Sequence, residues 1–218
     1  MDKALYVAMT GATQTMRAQA ANNHNLANAS TVGFRAELAA SAALAVDGPG
    51  LPTRVNSQST SGGWDATAGA LTATGRELDI ALRGDNWLAV QAPDGSTAYT
   101  RAGDLHVDAN GQLRNAAGHA VLGDGGPMSL PPNSSASIGA DGTVSVVPLG
   151  QSAATMAAVG RLKVVTAQPS QLERGADGLM RARAGAQLNA APGEVLVSGM
   201  LESSNVNVAD AMVTMISL

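Results

Sequence analysis

The chain is predicted to be α+β and mainly β, with N- and C-terminal helices pairing as a coiled-coil-like layer and an irregular all-β domain inserted between them. Three observations carry this expectation. Leu5, Met9, Ala12, Met16, Gln19, Asn23 and Leu26 recur at steps of four and three, the spacing of a coiled-coil seam. From Leu78 the pattern changes to alternation, punctuated by Asp-Gly and Asn-Gly turns. The four-and-three step then resumes at Val208, Met212 and Met215. The segments that follow are 1–46, a helix and turn; 47–75, a Gly/Ser/Thr-rich linker or extended arm; 76–185, the all-β domain; and 186–218, a return segment and C-terminal helix.

Residues 2–28 read as one amphipathic helix whose seam is apolar at first and polar from Gln19. Gly11 costs it about 1 kcal/mol relative to alanine, and such a helix is marginal alone in water, so it needs a partner. Asn22, Asn23, Asn25 and Asn28 crowd its end. Asparagine is a mediocre helix former, so these amides either cap a frayed end or are buried against neighbouring helices, where each must find partners and fixes one register. Ser30 to Gly33 then turn the chain, and Phe34, the only phenylalanine, fixes the exit.

Ala36–Leu44 is alanine-rich and is expected to be helical. Asp47-Gly-Pro-Gly-Leu-Pro and the polar run from Asn56 to Thr74 read as linker or arm, with Trp64 as its anchor. Leu78, Ile80 and Leu82 alternate with Asp79, Ala81 and Arg83, and strands flank Pro93-Asp94-Gly95, where glycine supplies positive φ. Similar turns at Asn110-Gly111, Asp124-Gly125, Asp141-Gly142 and Asp177-Gly178 separate further short strands, including Arg161–Thr166. From Val195 the chain is expected to turn helical again, with Asn205 or Asn207 as N-cap and Asp210 in the first turn. Leu218 comes scarcely three turns in, so the C-terminal helix is expected to be cut short.

Composition excludes several classes of function. Aromatic residues are 2% of the 218, so the core is built from Ala, Val, Leu and Met. The net charge of −4, with Arg54, Arg76, Arg83, Arg101 and Arg114 scattered singly, gives no footprint for nucleic acid or an anionic membrane. Without cysteine there are no disulfides and no thiolate chemistry. No stretch approaches the ~20 apolar residues of a membrane span, so no membrane insertion is expected. Met1–Thr10 lacks both a basic n-region and a continuous apolar run; if the protein is exported, the route is not cleaved-signal secretion.

No catalytic constellation is legible. His24, His106 and His119 share no ligand spacing, so no metal is expected. Asp104 and Asp108 lie on one face of a strand pattern but read better as turn-flanking residues than as a catalytic dyad. No serine sits in a Gly-x-Ser-x-Gly elbow, and Gly123-Asp-Gly-Gly-Pro is a turn without the lysine of a phosphate loop. The expectation is a non-enzymatic protein without cofactor.

Three motifs carry a resemblance. Leu26-Ala-Asn-Ala-Ser-Thr-Val-Gly-Phe-Arg35 resembles the N-terminal signature of the bacterial flagellar rod and hook axial proteins. Gly199-Met-Leu-Glu-Ser-Ser-Asn-Val-Asn207 with Met212-Val-Thr-Met-Ile216 resembles their C-terminal signature. Leu78-Asp-Ile-Ala-Leu-Arg-Gly84 and Ala98-Tyr-Thr-Arg-Ala-Gly-Asp-Leu105 resemble the opening of their β-domain. The chain looks most like the proximal-rod members. His24 stands where the family usually has asparagine, Gly84-Asp-Asn-Trp87 replaces a Gly-x-Gly-aromatic turn, and the chain ends before an expected Arg-x-aromatic-Glu pattern.

The resemblance implies a subunit of the basal-body rod spanning the periplasm, exported unfolded by the flagellar type III apparatus. It would polymerise with other rod subunits, its terminal helices forming the inner layer of a hollow shaft that transmits torque. On the combined reading, the assembly interface comprises Leu5, Met9, Ala12, Met16, Gln19, Asn22, Asn23, Asn25, Leu26, Asn28, Thr31, Gly33, Phe34, Leu201, Ser204, Asn205, Val206, Asn207, Val208, Met212 and Met215. A distal-rod or hook relative, or a secreted binding module with incidental helical ends, are the alternatives.

Overall fold

The computed structural model describes residues 4–45, 55–151 and 155–218. Among them the architecture is α+β and mostly β, with one α-helix towards each end of the chain and short antiparallel strands between. The chain divides into two compact units. One comprises Met1–Ser30, Arg35–Thr67 and Asn205–Leu218, the other Thr31–Phe34 and Ala68–Ser204.

The first unit holds α1 (Ala4–Ala27), β1 (Glu37–Ala45), β2 (Val55–Trp64) and α2 (Val208–Ser217). α1 ends where the main-chain N–H of Asn28 donates to the carbonyls of His24 and Asn25, and the Asn28 side-chain amide donates to His24 O at 2.9 Å. These bonds satisfy carbonyls that a helix C-terminus leaves orphaned. Asn207 caps α2, its side-chain oxygen accepting from the N–H groups of Ala209 and Asp210. The N-cap is thus Asn207, and Asn205 has a different task.

β1 corrects the helix expected over Ala36–Leu44. It pairs antiparallel with β2, with Ala40 opposite Thr60 and Leu44 opposite Asn56. Alanine's helix preference is a weak prior. Here the main chain of Glu37 is already committed to the side chain of Asn25, and the following residues find strand partners in β2. Gly62 permits the approach, since a Cβ there would collide with the carbonyl of Leu38. The polar run expected as linker or arm therefore contributes a strand from Val55. Trp64 closes that strand half-buried, opposite Glu37. The turn segment Asp47–Pro52 lies outside the described residues.

In the second unit β3 (Leu71–Ala73) pairs with Met200–Glu202, and β4 (Ile80–Leu82) pairs with Leu196–Ser198. This corrects the helical reading of Val195–Glu202. Gly199 sits at φ +74 and donates to Asp79 O, while its own carbonyl accepts from Thr74 and Gly75. A positive-φ residue interrupts a helix but suits the point where a chain changes strand partner.

β5 (Asn86–Gln91) and β6 (Thr97–Thr100) form the hairpin around Asp94-Gly95. They lie at the centre of a six-stranded antiparallel sheet. Its order is Leu172–Arg174, Met180–Ala182, β6, β5, Val164–Thr166, Asn189–Ala190. Asn133–Ile138, Thr143–Pro148 and Ala157–Arg161 make a three-stranded sheet. The run Arg161–Thr166, expected as one strand, is divided between the two sheets at Leu162 and Lys163. The core gathers Ile80, Leu88, Val90, Leu105, Leu113, Val121, Val144, Val146, Leu162 and Leu196, with no aromatic side chain among them.

Candidate assembly interface

α1 presents two stripes at the same helical spacing. Leu5, Met9, Ala12, Met16, Gln19 and Asn23 lie on the exposed one, with Leu5 77% and Met16 71% accessible and Leu26 half-buried at its end. Val7, Gln14, Ala18, Asn22 and Asn25 occupy the other, which turns towards the rest of the unit. On α2, Ala211 is buried, whereas Val208, Met212 and Met215 are exposed together with Val213 and Ile216, the last at 85%. The apolar seams legible in the sequence are thus largely uncovered within a single chain. Scattered exposed leucines are ordinary on proteins. Two helices that each leave a continuous apolar stripe open are not, and such patches mark interaction sites.

The asparagines hold the opposite side together. Asn22 is buried, and its Nδ2 donates to the main-chain oxygen of Ala211 at 2.8 Å. Asn25 takes both peptide groups of Glu37: Nδ2 donates to Glu37 O at 2.8 Å, and Oδ1 accepts from Glu37 N at 2.7 Å. His24 Nδ1 lies 3.1 Å from Glu37 Oε2, so a neighbouring residue of α1 holds the same strand residue. Asn205 Oδ1 accepts from Ala36 N at 2.7 Å, while Nδ2 donates to Asp65 O and Thr67 O. One amide therefore spans the entrance of β1 and the exit of β2. Of the cluster, Asn23 alone stays on the exposed stripe.

Thr31, Gly33 and Phe34 belong to the second unit. Phe34 N donates to Thr31 O, closing the turn, and Arg174 Cζ lies 4.9 Å from the Phe34 ring centroid. Leu201 pairs with Thr72 in the short sheet with β3, and Ser204 and Val206 are half-buried in the segments beyond.

Sequence reasoning missed the buried centre beside this turn. Glu202 is 1% exposed and Arg101 3%. Arg101 Nε donates to Glu202 Oε2 at 2.7 Å, Nη1 to Gly84 O and Asn86 O, and Nη2 to Leu82 O. The guanidinium lies 5.7 Å from the Trp87 ring centroid. Gly84 is at φ +53 and Asn86 N reaches Arg83 O, so the Gly84–Trp87 turn closes around the arginine. Both charged residues stood inside the quoted motifs. A charged residue ending an apolar strand was the available signal.

His106, His119, Asp104 and Asp108 lie in the second unit and are not on either helix. Among the described residues there is no cluster of three or more His, Asp or Glu able to hold a metal ion. Asp108 flanks its turn, accepting from Asn110 N and Gln112 N and pairing with Arg114 at 2.7 Å. The arginine bond, followed by the main-chain donors, holds its carboxyl below the usual carboxylate range. Asp104 lies opposite buried Asp79 in an isolated bridge, and burial pushes its carboxyl above that range. No helix among the described residues is long and apolar enough to cross a membrane.

Comparison with known proteins gives two family matches and several relatives over the full chain. The family described as "Flagellar hook protein FlgE/F/G D1 domain" matches residues 81–146, and "Flagellar basal body rod FlgEFG protein C-terminal" matches residues 197–218. The flagellar basal-body rod protein FlgF of Escherichia coli (strain K12) is 48% identical over 223 residues, covering 100% of this chain and 88% of the relative. The chain belongs to the flagellar basal-body rod protein family. FlgF of Salmonella typhimurium is 47% identical with the same coverage. FlgG of Bacillus subtilis is 32% identical over 240 residues, covering 99% of this chain and 89% of its own. As a member of this family the chain is a structural protein of the flagellar basal body. The first match lies within the second unit and the second runs from its end through α2, so Arg101 and Glu202 each fall inside a matched region.

Proposed function

We propose that this chain is a subunit of the proximal rod, polymerising through α1 and α2 into the inner wall of the hollow shaft that transmits torque. The single observation that carries the reading is the open apolar stripe along both helices, from Leu5 to Met16 and from Val208 to Ile216. Burying one such side chain is worth roughly 1.5–3 kcal/mol. Association costs about 4–15 kcal/mol in lost freedom. One or two contacts are therefore insufficient, and the stripes must be covered along their length by helices of neighbouring subunits in coiled-coil-like packing. In this reading the β-rich unit is the inserted outer layer. The partners are further copies and other rod proteins, and the type III export apparatus delivers the chain.

The test replaces Met9 and Met16 together by glutamate in cells lacking their own copy of the protein. Both positions are exposed in the single chain, so the purified variant should keep its circular dichroism and unfolding midpoint. Filaments and swimming should be lost. Normal filament numbers with this variant would reject polymerisation through the α1 stripe.

A further inference from the structure

The two units are joined at the chain positions 30–31, 34–35, 67–68 and 204–205. From within the second unit, Glu202 bonds one residue of the 31–34 segment, which carries the first two crossings, and one residue beside the third. Its main-chain oxygen accepts from Gly33 N at 2.8 Å, and its Oε1 accepts from Gly69 N at 2.9 Å. Glu202 itself lies just before the last crossing. Both glycines are shaped for this closeness. A Cβ on Gly33, at φ +67, would collide with the backbone of Arg101, and one on Gly69 with the carbonyl of Ser203. The second carboxylate oxygen is held by Arg101, whose remaining donors grip the carbonyls of Leu82, Gly84 and Asn86 beside β5.

We propose that Glu202, backed by Arg101, is a clasp that transmits force. It ties every segment that carries the chain out of the β-rich unit to the centre of that unit, so that force passes through the core sheet rather than through separate connectors. The transmission of force rests on the rod reading; the clasp itself does not. A buried ion pair is weak grounds for net stability, because desolvation offsets attraction. Its value here is geometric: both carboxylate oxygens are used, and each fixes a different segment. Glutamine has one oxygen where glutamate has two, so it can serve Arg101 or Gly69 but not both.

Hydrogen exchange on the full chain tests the clasp first. In the wild-type protein the amides of Gly33 and Gly69 should exchange as slowly as those of β5 and show the same denaturant dependence, since they open only with the core. Fast exchange at both, independent of the core, overturns the clasp without any substitution. In Glu202→Gln the Gly69 amide should exchange roughly tenfold faster or more, the worth of a hydrogen bond to a charged group, with β5 unchanged. Equal protection overturns the assignment. The load is tested by swimming of cells carrying Glu202→Gln in dilute and viscous media, at wild-type filament number. Loss confined to the viscous medium supports transmission of force, and equal swimming in both overturns it. Failure of the wild-type chain to restore filaments to cells lacking it would instead sink the rod reading and leave the exchange result standing.

Discussion

Asn22 Nδ2 donates to the main-chain oxygen of Ala211 at 2.8 Å, joining α1 to α2 across 189 positions of sequence. Both residues are buried. The contact uses a polar side chain with directional bonds, so it fixes how one helix lies on the other in a way that leucine or alanine does not. Asn22→Ala is expected to cost about 1 kcal/mol. The loss should appear as faster amide exchange in α2 with little change in the unfolding midpoint of the β-rich unit.

The arm of β1 and β2 is a two-stranded sheet, which is marginal on its own. Its anchors are Asn25 on Glu37 and Asn205 on Ala36, Asp65 and Thr67. Removing either side chain frees the base of the hairpin. Asn205→Ala is expected to lower the free energy of local arm opening by about 1–3 kcal/mol, read from faster amide exchange in β1 and β2. Asn205→Asp should recover only the bond from Ala36 N, because a carboxylate cannot donate to Asp65 O or Thr67 O.

Gly33 combines a left-handed φ of +67 with a blocked Cβ direction. Gly33→Ala is therefore expected to destabilise the β-rich unit by about 2–5 kcal/mol, from the conformation and the collision together. The urea midpoint followed by circular dichroism measures it. A change below half a kcal/mol would mean that the turn relaxes freely.

Two carboxylates should pull stability in opposite directions with pH. The folded-state carboxyl of Asp108 is held below its ordinary range, first by Arg114. It therefore contributes stability above that range, which is lost as pH falls through the depressed value. The Asp104 carboxyl is raised, first by burial and further by Asp79, so its contribution is present at acid pH and is lost as pH rises through the raised value. Asp104→Asn, which keeps an oxygen to accept from Ala116 N, should leave stability unchanged at strongly acid pH and raise it towards neutrality. Urea titrations at several pH values check the divergence. A constant difference between variant and wild type would remove the role given to Asp104.

The helix at each end, the alternation around β4 and β5, and the glycine turns were legible because each imposes a local period or a required φ. Which side of α1 faces inward was not. Leu5-Met9-Met16 and Val7-Gln14-Asn22 run at the same spacing, and the alanines between them give little contrast. Ala36–Leu44 misled for a related reason: alanine barely chooses, and partners from residues 25, 55–64 and 205 decided its strand. Leu196–Glu202 was drawn from helix to strand by Gly199 and by pairing with β3 and β4. Arg101 and Glu202 escaped notice because their meaning depends on meeting 101 positions apart.

The central claim is that the outward stripe of α1 is covered by neighbouring subunits in the rod. These 218 residues include no cysteine, so Met16→Cys supplies a distinct thiol on that stripe. Its labelling rate with a polar maleimide should be compared in the purified chain and in isolated basal bodies that carry the variant. Fast labelling in the chain and at least tenfold slower labelling in the rod is the expected result. Equal rates in both would contradict the claim.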